Sequence, residues 1–339
     1  MHLKCMLLAQ RRFALWRKRT LMVMKSVRKA EFIAGRREML GSVTALAVMP
    51  AAKLWPALAL GCFSADTDMT TGIADYHGYS MSNLVVDGCN AHLVRPKEPL
   101  AGRPWVWRTM FWDAYPTADL ALLEAGFHLA FIDVGNTFGC PDAMKHFDAF
   151  HAAMTVQFHL AGKPALEGLS RGGLYAYRWA YVNTDRVACI YGDAPVCDMK
   201  SWPGGKGKGP GSPADWQKAI KDYHFENEQQ MMHFQGNPVD ILAPIAAAHI
   251  PILHVCGAAD KTVPEDENTD IVRARYLDLG GDFALIIKEG CAHHPHGLAK
   301  PEPIVDFMLA CCTTGETAQQ ATRRAPHPGT VTRLSQGEW

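Results

Sequence analysis

The hexapeptide Gly168-Leu169-Ser170-Arg171-Gly172-Gly173 restricts the fold more than any other feature of this sequence. An apolar segment, 164–169, precedes it and a helical pattern, 174–182, follows. A serine in a strained turn between a strand and a helix needs glycines two positions away, because larger side chains would collide with both elements. The pattern predicts a nucleophilic Ser170. The alternative is a phosphate-binding or purely structural glycine turn.

The chain around this turn alternates short apolar runs with helical patterns, which predicts an α/β fold with a doubly wound, mostly parallel sheet. The predicted strands are 91–95, 104–110, 127–133, 165–169, 187–191, 252–256 and 283–288. The predicted helices are 116–125, 143–160, 173–183, 268–279 and 303–311. These elements place a catalytic domain over 63–312.

Two segments depart from the alternation. Residues 198–248 begin with a Gly-, Lys- and Pro-rich stretch and continue with helix-like segments that carry aromatics, which predicts a lid inserted between two strands. A surface excursion without a substrate role is the alternative. Residues 313–339 are polar and lack an apolar period, so we expect a disordered tail.

Residues 1–62 form a basic leader, in which Arg36-Arg37 precedes a mildly apolar stretch of small residues. This order resembles a twin-arginine export signal and predicts a periplasmic or secreted protein. A chance arginine pair in a cytoplasmic protein is the alternative. Pro50, Lys53 and Pro56 interrupt the apolar stretch, so we expect no stable membrane span. The true start and the cleavage site stay open.

Composition narrows the range of partners. Lys plus Arg and Asp plus Glu both total 34, so no net field favours nucleic acid. The ten cysteines include no CxxC pair, which excludes a zinc ribbon, and loss of Cys5 with a leader cleaved near Ala59 would leave nine, an odd number. A full disulfide framework is therefore not expected. No segment indicates a metal or organic cofactor, and the sequence leaves the oligomeric state undetermined.

An acid and a base for Ser170 can be proposed from their positions. Asp260 follows the predicted strand 252–256, at the edge where α/β sheets collect functional groups, and Asp193 follows the preceding strand as a rival. Three histidines follow the last strand, and His293, His294 or His296 could be the general base. A metal site is disfavoured here because Pro295 bends the run and no carboxylate or cysteine pair has helical ligand spacing.

The order Ser170, Asp260, His293 resembles the α/β-hydrolase superfamily over residues 79–309. The segments Gly-x-x-Asp-x-x-Val-Pro and His-His-Pro-His are similar to its bacterial prolyl-oligopeptidase-like and carbohydrate-esterase branches. The resemblance implies hydrolysis of an ester or amide through an acyl-serine. The Gly-x-Gly-His ending common in that fold favours His293, although Ala292 replaces the second glycine and keeps His294 and His296 open.

The same resemblance implies an oxyanion hole with two backbone N–H donors. Arg171, directly after the nucleophile, would supply one, and the loop at Arg108 would supply the other. The elbow Gly-x-Ser-Arg-x-Gly also resembles that of glucuronoyl esterases, which implies that the Arg171 side chain assists; a surface-directed side chain is the alternative. We expect aromatic substrate contacts with sugar rings from Trp107, Trp112 and Trp202.

These features predict a serine esterase that cleaves a carboxylic ester, with a small-molecule or carbohydrate-linked substrate. Two alternatives remain at this point. One is a serine peptidase of the prolyl-oligopeptidase-like type, and the other is a non-catalytic binding protein with the same fold.

Overall fold

The computed structural model describes residues 70–339, so the predicted leader and export signal lie outside the described residues. Ten strands form one sheet. They are β1 (Thr70–Tyr76), β2 (Tyr79–Val86), β3 (Cys89–Arg95), β4 (Trp105–Arg108), β5 (His128–Ile132), β6 (Ala165–Leu169), β7 (Cys189–Asp193), β8 (Ile252–Gly257), β9 (Phe283–Lys288) and β10 (Val331–Leu334).

The order of strands across the sheet is β1-β2-β3-β5-β4-β6-β7-β8-β9-β10. Pairing is antiparallel from β1 to β3 and between β3 and β5, and parallel from β5 through β10. The predicted α/β class with a mostly parallel sheet is confirmed. All seven predicted strands are present, whereas β1, β2 and β10 were not predicted.

Nine α-helices connect or follow the strands of the described part. They are α1 (Thr117–Glu124), α2 (Pro141–Ala152), α3 (Gly172–Val182), α4 (Pro213–Asp222), α5 (Glu228–Met232), α6 (Leu242–Ala247), α7 (Thr269–Asp278), α8 (Glu302–Cys312) and α9 (Gly315–Arg324). A short π-helix, Ala153–Gln157, extends α2. Within residues 70–339, no helix is both long and apolar enough to cross a membrane.

Each face of the sheet has its own core, because successive side chains of a strand point to opposite faces. Trp105 and Trp107 pack on the face covered by α2 and α3, whereas Val106 between them packs on the face covered by α1 and α8. Burial on both faces explains why the central strands are continuously apolar rather than alternating.

The predicted insertion, 198–248, is built from turns and the helices α4, α5 and α6. It contributes Trp216, Ile220 and Tyr223 to the core, and the Tyr223 hydroxyl donates to the Phe138 carbonyl at 2.9 Å. The insertion is therefore packed on the catalytic sheet through buried side chains.

The tail predicted to be disordered instead forms α9 and β10. The Arg324 guanidinium donates twice to the Asp306 carboxylate of α8, at 2.6 and 3.0 Å. Strand β10 pairs in parallel with β9 from Val331 to Leu334. Backbone pairing and this ion pair order the segment, and neither depends on the apolar period whose absence led to the wrong prediction.

The turn between β6 and α3 allows no side chain at Gly168. A Cβ atom there would lie 2.9 Å from the Gly173 nitrogen and 3.0 Å from the Gly172 carbonyl carbon. Both neighbours are backbone atoms, which cannot rotate away as a side chain could. Gly168 is thus required by the close contact between strand and helix.

We expect Gly168→Ala to lower the free energy of unfolding by about 2–3 kcal/mol, since the added methyl must displace backbone. Gly162→Ala is the matched control, because a Cβ atom there meets nothing within 4 Å. The control should change stability by less than about 0.5 kcal/mol. Urea denaturation of the three proteins measures both values, and equal stabilities would contradict the packing described here.

Candidate active site

Three predicted residues form a continuous line of hydrogen bonds at the carboxyl edge of the sheet. Ser170 Oγ lies 3.0 Å from His293 Nε2, and His293 Nδ1 lies 2.6 Å from Asp260 Oδ2. Ser170 follows β6, Asp260 follows β8, and His293 follows β9. Parallel strands bring these three loops to one edge, although the residues are up to 123 positions apart in sequence.

The backbone of Ser170 has a left-handed conformation, with φ 47°. Its N–H donates to the Asp193 carbonyl at 2.8 Å, and its carbonyl accepts from the N–H of Val196 at 2.8 Å. A non-glycine residue is uncommon in this region and persists when its surroundings fix it. Here the last residue of β7 and the residues just after it fix the N–H and the carbonyl of Ser170.

Asp260 is held by two backbone groups as well as by the histidine. Its Oδ1 accepts from the N–H groups of Thr262 and Val263 at 2.8 and 2.9 Å. Its Oδ2 faces His293, and because an ionised carboxylate only accepts, Nδ1 of His293 carries the proton. Nε2 is then an acceptor for the Ser170 hydroxyl, as a general base requires.

The rival acid, Asp193, is paired with another histidine. Its carboxylate lies 2.6 Å from His296 Nδ1 and accepts from the Tyr191 hydroxyl at 2.5 Å and the Gly297 N–H at 2.8 Å. Burial would raise the pKa of Asp193, but the hydrogen bond and charge of His296 outweigh burial and hold that pKa below its usual value. Asp193 and His296 therefore form a second, separate carboxylate–histidine pair.

The three histidines of the segment are neighbours in space. Their ring centroids are 4.9–5.0 Å apart, with interplanar angles of 65° to 82°. His294 is the exposed member, and its ring stacks on Tyr115 at 5.7 Å. Burial, followed by the charges of His296 and His293, lowers the pKa of His294. Of the three, His293 alone contacts Ser170 through a hydrogen bond in the described part.

Arg108 does not lie where an oxyanion donor was predicted. It is fully buried, its guanidinium pairs with Asp119 and lies 3.5 Å from Glu167, and its Nε donates to the Phe111 carbonyl at 3.0 Å. The next N–H, that of Thr109, donates to the Glu167 carbonyl at 2.9 Å. Arg108 therefore orders the loop after β4, and the buried Asp119 carboxylate neutralises it.

In the described part of the chain, backbone N–H groups without an acceptor lie directly after Thr109 and directly after Ser170. Within residues 70–339, the N–H groups of Arg171, Met110 and Phe111 have no protein acceptor. Arg171 directly follows the nucleophile, and Met110 lies against the first turn of α3, 3.2 Å from a Cβ built at Gly172. Among the described residues, Arg171 therefore has a free N–H next to Ser170, as an oxyanion donor would need, and Met110 and Phe111 rather than Arg108 offer free N–H groups after β4.

The Arg171 side chain faces the insertion. Its guanidinium lies 5.1 Å from the Phe111 ring and 5.5 Å from the Trp202 ring, which are cation–π distances. One guanidinium nitrogen lies 3.7 Å from Asp215 Oδ1, too far for a hydrogen bond, and has no partner in the described residues. The side chain is neither surface-directed nor fully paired.

The three predicted substrate aromatics have different positions. Trp107 is completely buried among Trp105, Phe147 and Trp179, so it cannot contact a substrate. The prediction for Trp107 was wrong because both faces of β4 are buried, and the Trp107 ring lies in the core between the sheet and the helices α2 and α3. Trp112 is half-buried beside Tyr76, His92 and Phe131. Trp202 is the one stacked against Arg171 and thus near the nucleophile.

Sequence reasoning missed two polar residues that connect the insertion to the site. Asn136 donates to Asp215 Oδ1 at 2.9 Å, and Asp215 is the acid beside Arg171. The segment Ser212-Pro213-Ala214-Asp215 is a recognisable helix start, since Ser212 caps α4 by accepting from the Asp215 N–H. That signal predicts the helix but not the direction of the carboxylate.

Comparison with solved structures supports the same architecture. The crystal structure of puromycin hydrolase has a TM-score of 0.52 and 17% identity over 77% of this chain, and Pyrococcus horikoshii acylaminoacyl peptidase has 0.50 and 11% over 75%. The chain spans 40% and 51% of the lengths of those proteins. No protein-family model and no curated protein matches the chain. At these identities the likeness shows the fold alone, which is the α/β-hydrolase fold.

Glu265, in the turn that follows the Asp260 loop, has a pKa raised to about 7. Burial is the main cause, and the charge of Asp270 adds to it, while Arg333 opposes it. An unfolded glutamate has a pKa of about 4.3, so between pH 4 and 7 the folded state holds a proton that the unfolded state has lost. Stability should therefore fall as pH rises through this window.

We expect Glu265→Gln to stabilise the protein at pH 8 by about 1 kcal/mol, after allowance for solvent screening of this half-exposed group, and not at pH 4. Exposed Glu98→Gln is the control and should have the same small effect at both pH values. Denaturation at the two pH values measures the difference. A gain from Glu265→Gln that did not depend on pH would rule out this origin.

Proposed function

We propose that this chain is a serine hydrolase that works through an acyl-serine intermediate, with Ser170 as nucleophile, His293 as general base and Asp260 as its partner. The observation that carries the proposal is the hydrogen-bonded line from Ser170 Oγ through His293 to Asp260, at 3.0 and 2.6 Å. Non-catalytic members of a fold have no need of all three groups in contact.

In the acylation step, Ser170 Oγ attacks the substrate carbonyl carbon while His293 Nε2 takes the hydroxyl proton. Asp260 stabilises the resulting imidazolium through the Nδ1–H hydrogen bond. The Arg171 N–H and the Met110 or Phe111 N–H bind the oxygen on which negative charge develops. The carbon–leaving-group bond then breaks, and His293 returns the proton to the leaving amine or alcohol.

In the deacylation step, a water molecule takes the place of the leaving group. His293 removes its proton, the hydroxide attacks the acyl carbon, and the bond to Ser170 Oγ breaks. The proton passes from His293 to Ser170, which restores the resting site. The products are a carboxylic acid and the free serine, and the chain needs no further group for this balance.

For the substrate, we propose an amide or peptide bond as the first candidate. The support is the likeness to acylaminoacyl peptidase, whose name states a peptidase, and to puromycin hydrolase, whose name states a hydrolase. The predicted platform for sugar rings also lost one member, because Trp107 is buried in the core. The peptidase alternative therefore has more support than the carbohydrate ester.

A uronate or other anionic ester remains a second candidate because of Arg171. Its guanidinium is next to the nucleophile, between Phe111 and Trp202, and one of its nitrogens lacks a hydrogen-bond partner in the described residues. Asp215 lies 3.7 Å from that nitrogen, so a substrate carboxylate would pair with the cation by displacing this acid. The second candidate depends on that exchange.

The proposal predicts covalent labelling of Ser170 by a fluorophosphonate and turnover of at least one acyl substrate. A panel of aminoacyl and acylaminoacyl p-nitroanilides, together with acetyl, feruloyl and uronate methyl esters, should show faster hydrolysis of the amides. Ser170→Ala is the control, and it should abolish labelling and turnover without unfolding. Labelling of the Ser170→Ala protein, or no labelling of either, would refute the mechanism; esters alone as substrates would favour the second candidate.

The two carboxylates should separate in mutant kinetics. Asp260→Asn should lower kcat by about 10⁴-fold, because an amide cannot fix the His293 tautomer. Asp193→Asn should cost less than about 10²-fold, because Asp193 contacts His296 instead. Steady-state kinetics on the best substrate of the panel gives both numbers. The opposite ranking would transfer the role of catalytic acid to Asp193.

A further inference from the structure

The second carboxylate–histidine pair has a position that the hydrolytic mechanism does not use. His293 and His296 each turn Nδ1 toward a buried carboxylate, Asp260 and Asp193, at 2.6 Å in both cases. In both rings, Nε2 is therefore the nitrogen that can bind a different group. A histidine whose second nitrogen is fixed by a carboxylate is the usual arrangement for a metal ligand, because the carboxylate orients the ring and raises its basicity.

A third ligand completes the group. One ring nitrogen from each of His293, His294 and His296 lies within 4.8 Å of the other two. Three imidazoles and an open fourth position form one of the known zinc arrangements, and imidazole is a ligand that suits Zn²⁺ rather than Mg²⁺ or Ca²⁺. From these contacts we infer that His293, His294 and His296 form a Zn²⁺ site, and that the ion inhibits the enzyme by occupying the catalytic base.

The geometry explains how the three rings would adapt. Zinc–nitrogen bonds of about 2.0–2.1 Å in a tetrahedral site place nitrogens roughly 3.4 Å apart, so the rings must close by about 1.4 Å or less. His293 and His296 are buried and held by carboxylates, whereas His294 is exposed and its ring makes no hydrogen bond among residues 70–339. His294 is thus the ring that moves furthest, away from its stacking contact with Tyr115, while His293 and His296 approach each other through small shifts within their carboxylate contacts.

Inhibition is expected because the ion and the Ser170 proton would use the same nitrogen, His293 Nε2. His293 Nε2 is the atom 3.0 Å from Ser170 Oγ, and the mechanism requires its lone pair to accept the serine proton. A bound Zn²⁺ uses the same lone pair, so proton transfer and metal binding exclude each other. Inhibition rests on the proposed function, whereas binding of the ion does not.

The binding test uses isothermal calorimetry with ZnCl₂ as the titrant. Ser170→Ala protein serves as the host, because its result does not depend on hydrolysis. We expect about one ion per chain, with affinity reduced at least about 10-fold by an additional His294→Ala substitution and unchanged by His327→Ala, an exposed histidine outside the cluster. No binding, or equal binding in the His294→Ala protein, would overturn the site.

The inhibition test uses the native serine and the best substrate of the panel. ZnCl₂ should reduce turnover, EDTA should restore it, and MgCl₂ at the same concentration should have no effect. In the His294→Ala protein, the Zn²⁺ concentration for half-inhibition should rise at least about 10-fold. If calorimetry shows the ion bound while turnover is unaffected, the inhibitory role is wrong. Absence of any turnover refutes the proposed function and leaves the binding result standing.

Discussion

The left-handed turn at Ser170 is the constraint on which the rest of the site depends. It is held from outside: the Ser170 N–H donates to the carbonyl of Asp193, the last residue of β7, and the Ser170 carbonyl accepts from the N–H of Val196, just beyond that strand. Gly168 allows α3 to approach the strand, because any Cβ atom there would meet backbone. The turn therefore requires a parallel neighbour strand and a tightly packed helix, which the doubly wound sheet provides.

Asp193, the last residue of β7, has a second role through its side chain. Its backbone carbonyl fixes the nucleophile, and its carboxylate fixes His296 and the Gly297 N–H. One residue thus connects the serine turn with the histidine loop. Asp260, on the neighbouring strand β8, holds the base itself. Asp193 and Asp260, at the ends of adjacent strands, therefore both hold the loop that carries the histidines. Because both follow a strand at the same edge of the sheet, both were candidates for the catalytic acid in the sequence.

The central strands were predictable because burial on both faces makes them apolar runs. Ser170, Asp260 and His293 were predictable because the glycines around Ser170 mark its turn and the other two residues follow predicted strands. Strands β1, β2 and β10 leave a weaker one. Three of the four residues of β10 are exposed, and its backbone pairs with β9 at a register that no side-chain pattern specifies. Arg108 was misassigned for a related reason: a charged residue at a strand end suggests function, and nothing in the sequence shows that Asp119, 11 positions on, and Glu167 of β6 are its partners.

Asp119 and Glu167, the partners of Arg108, also contribute to the electric field near Ser170. Arg108 and Asp119 form a fully buried ion pair, and Glu167 lies in β6, three residues before Ser170. Burial and then the charge of Asp119 raise the pKa of Glu167, while Arg108 opposes this rise. The direction of this shift favours the neutral form of Glu167 beside the buried Arg108–Asp119 pair. A second buried carboxylate charge would oppose negative charge on a substrate oxygen next to Ser170, so the raised pKa of Glu167 acts in favour of the proposed oxyanion.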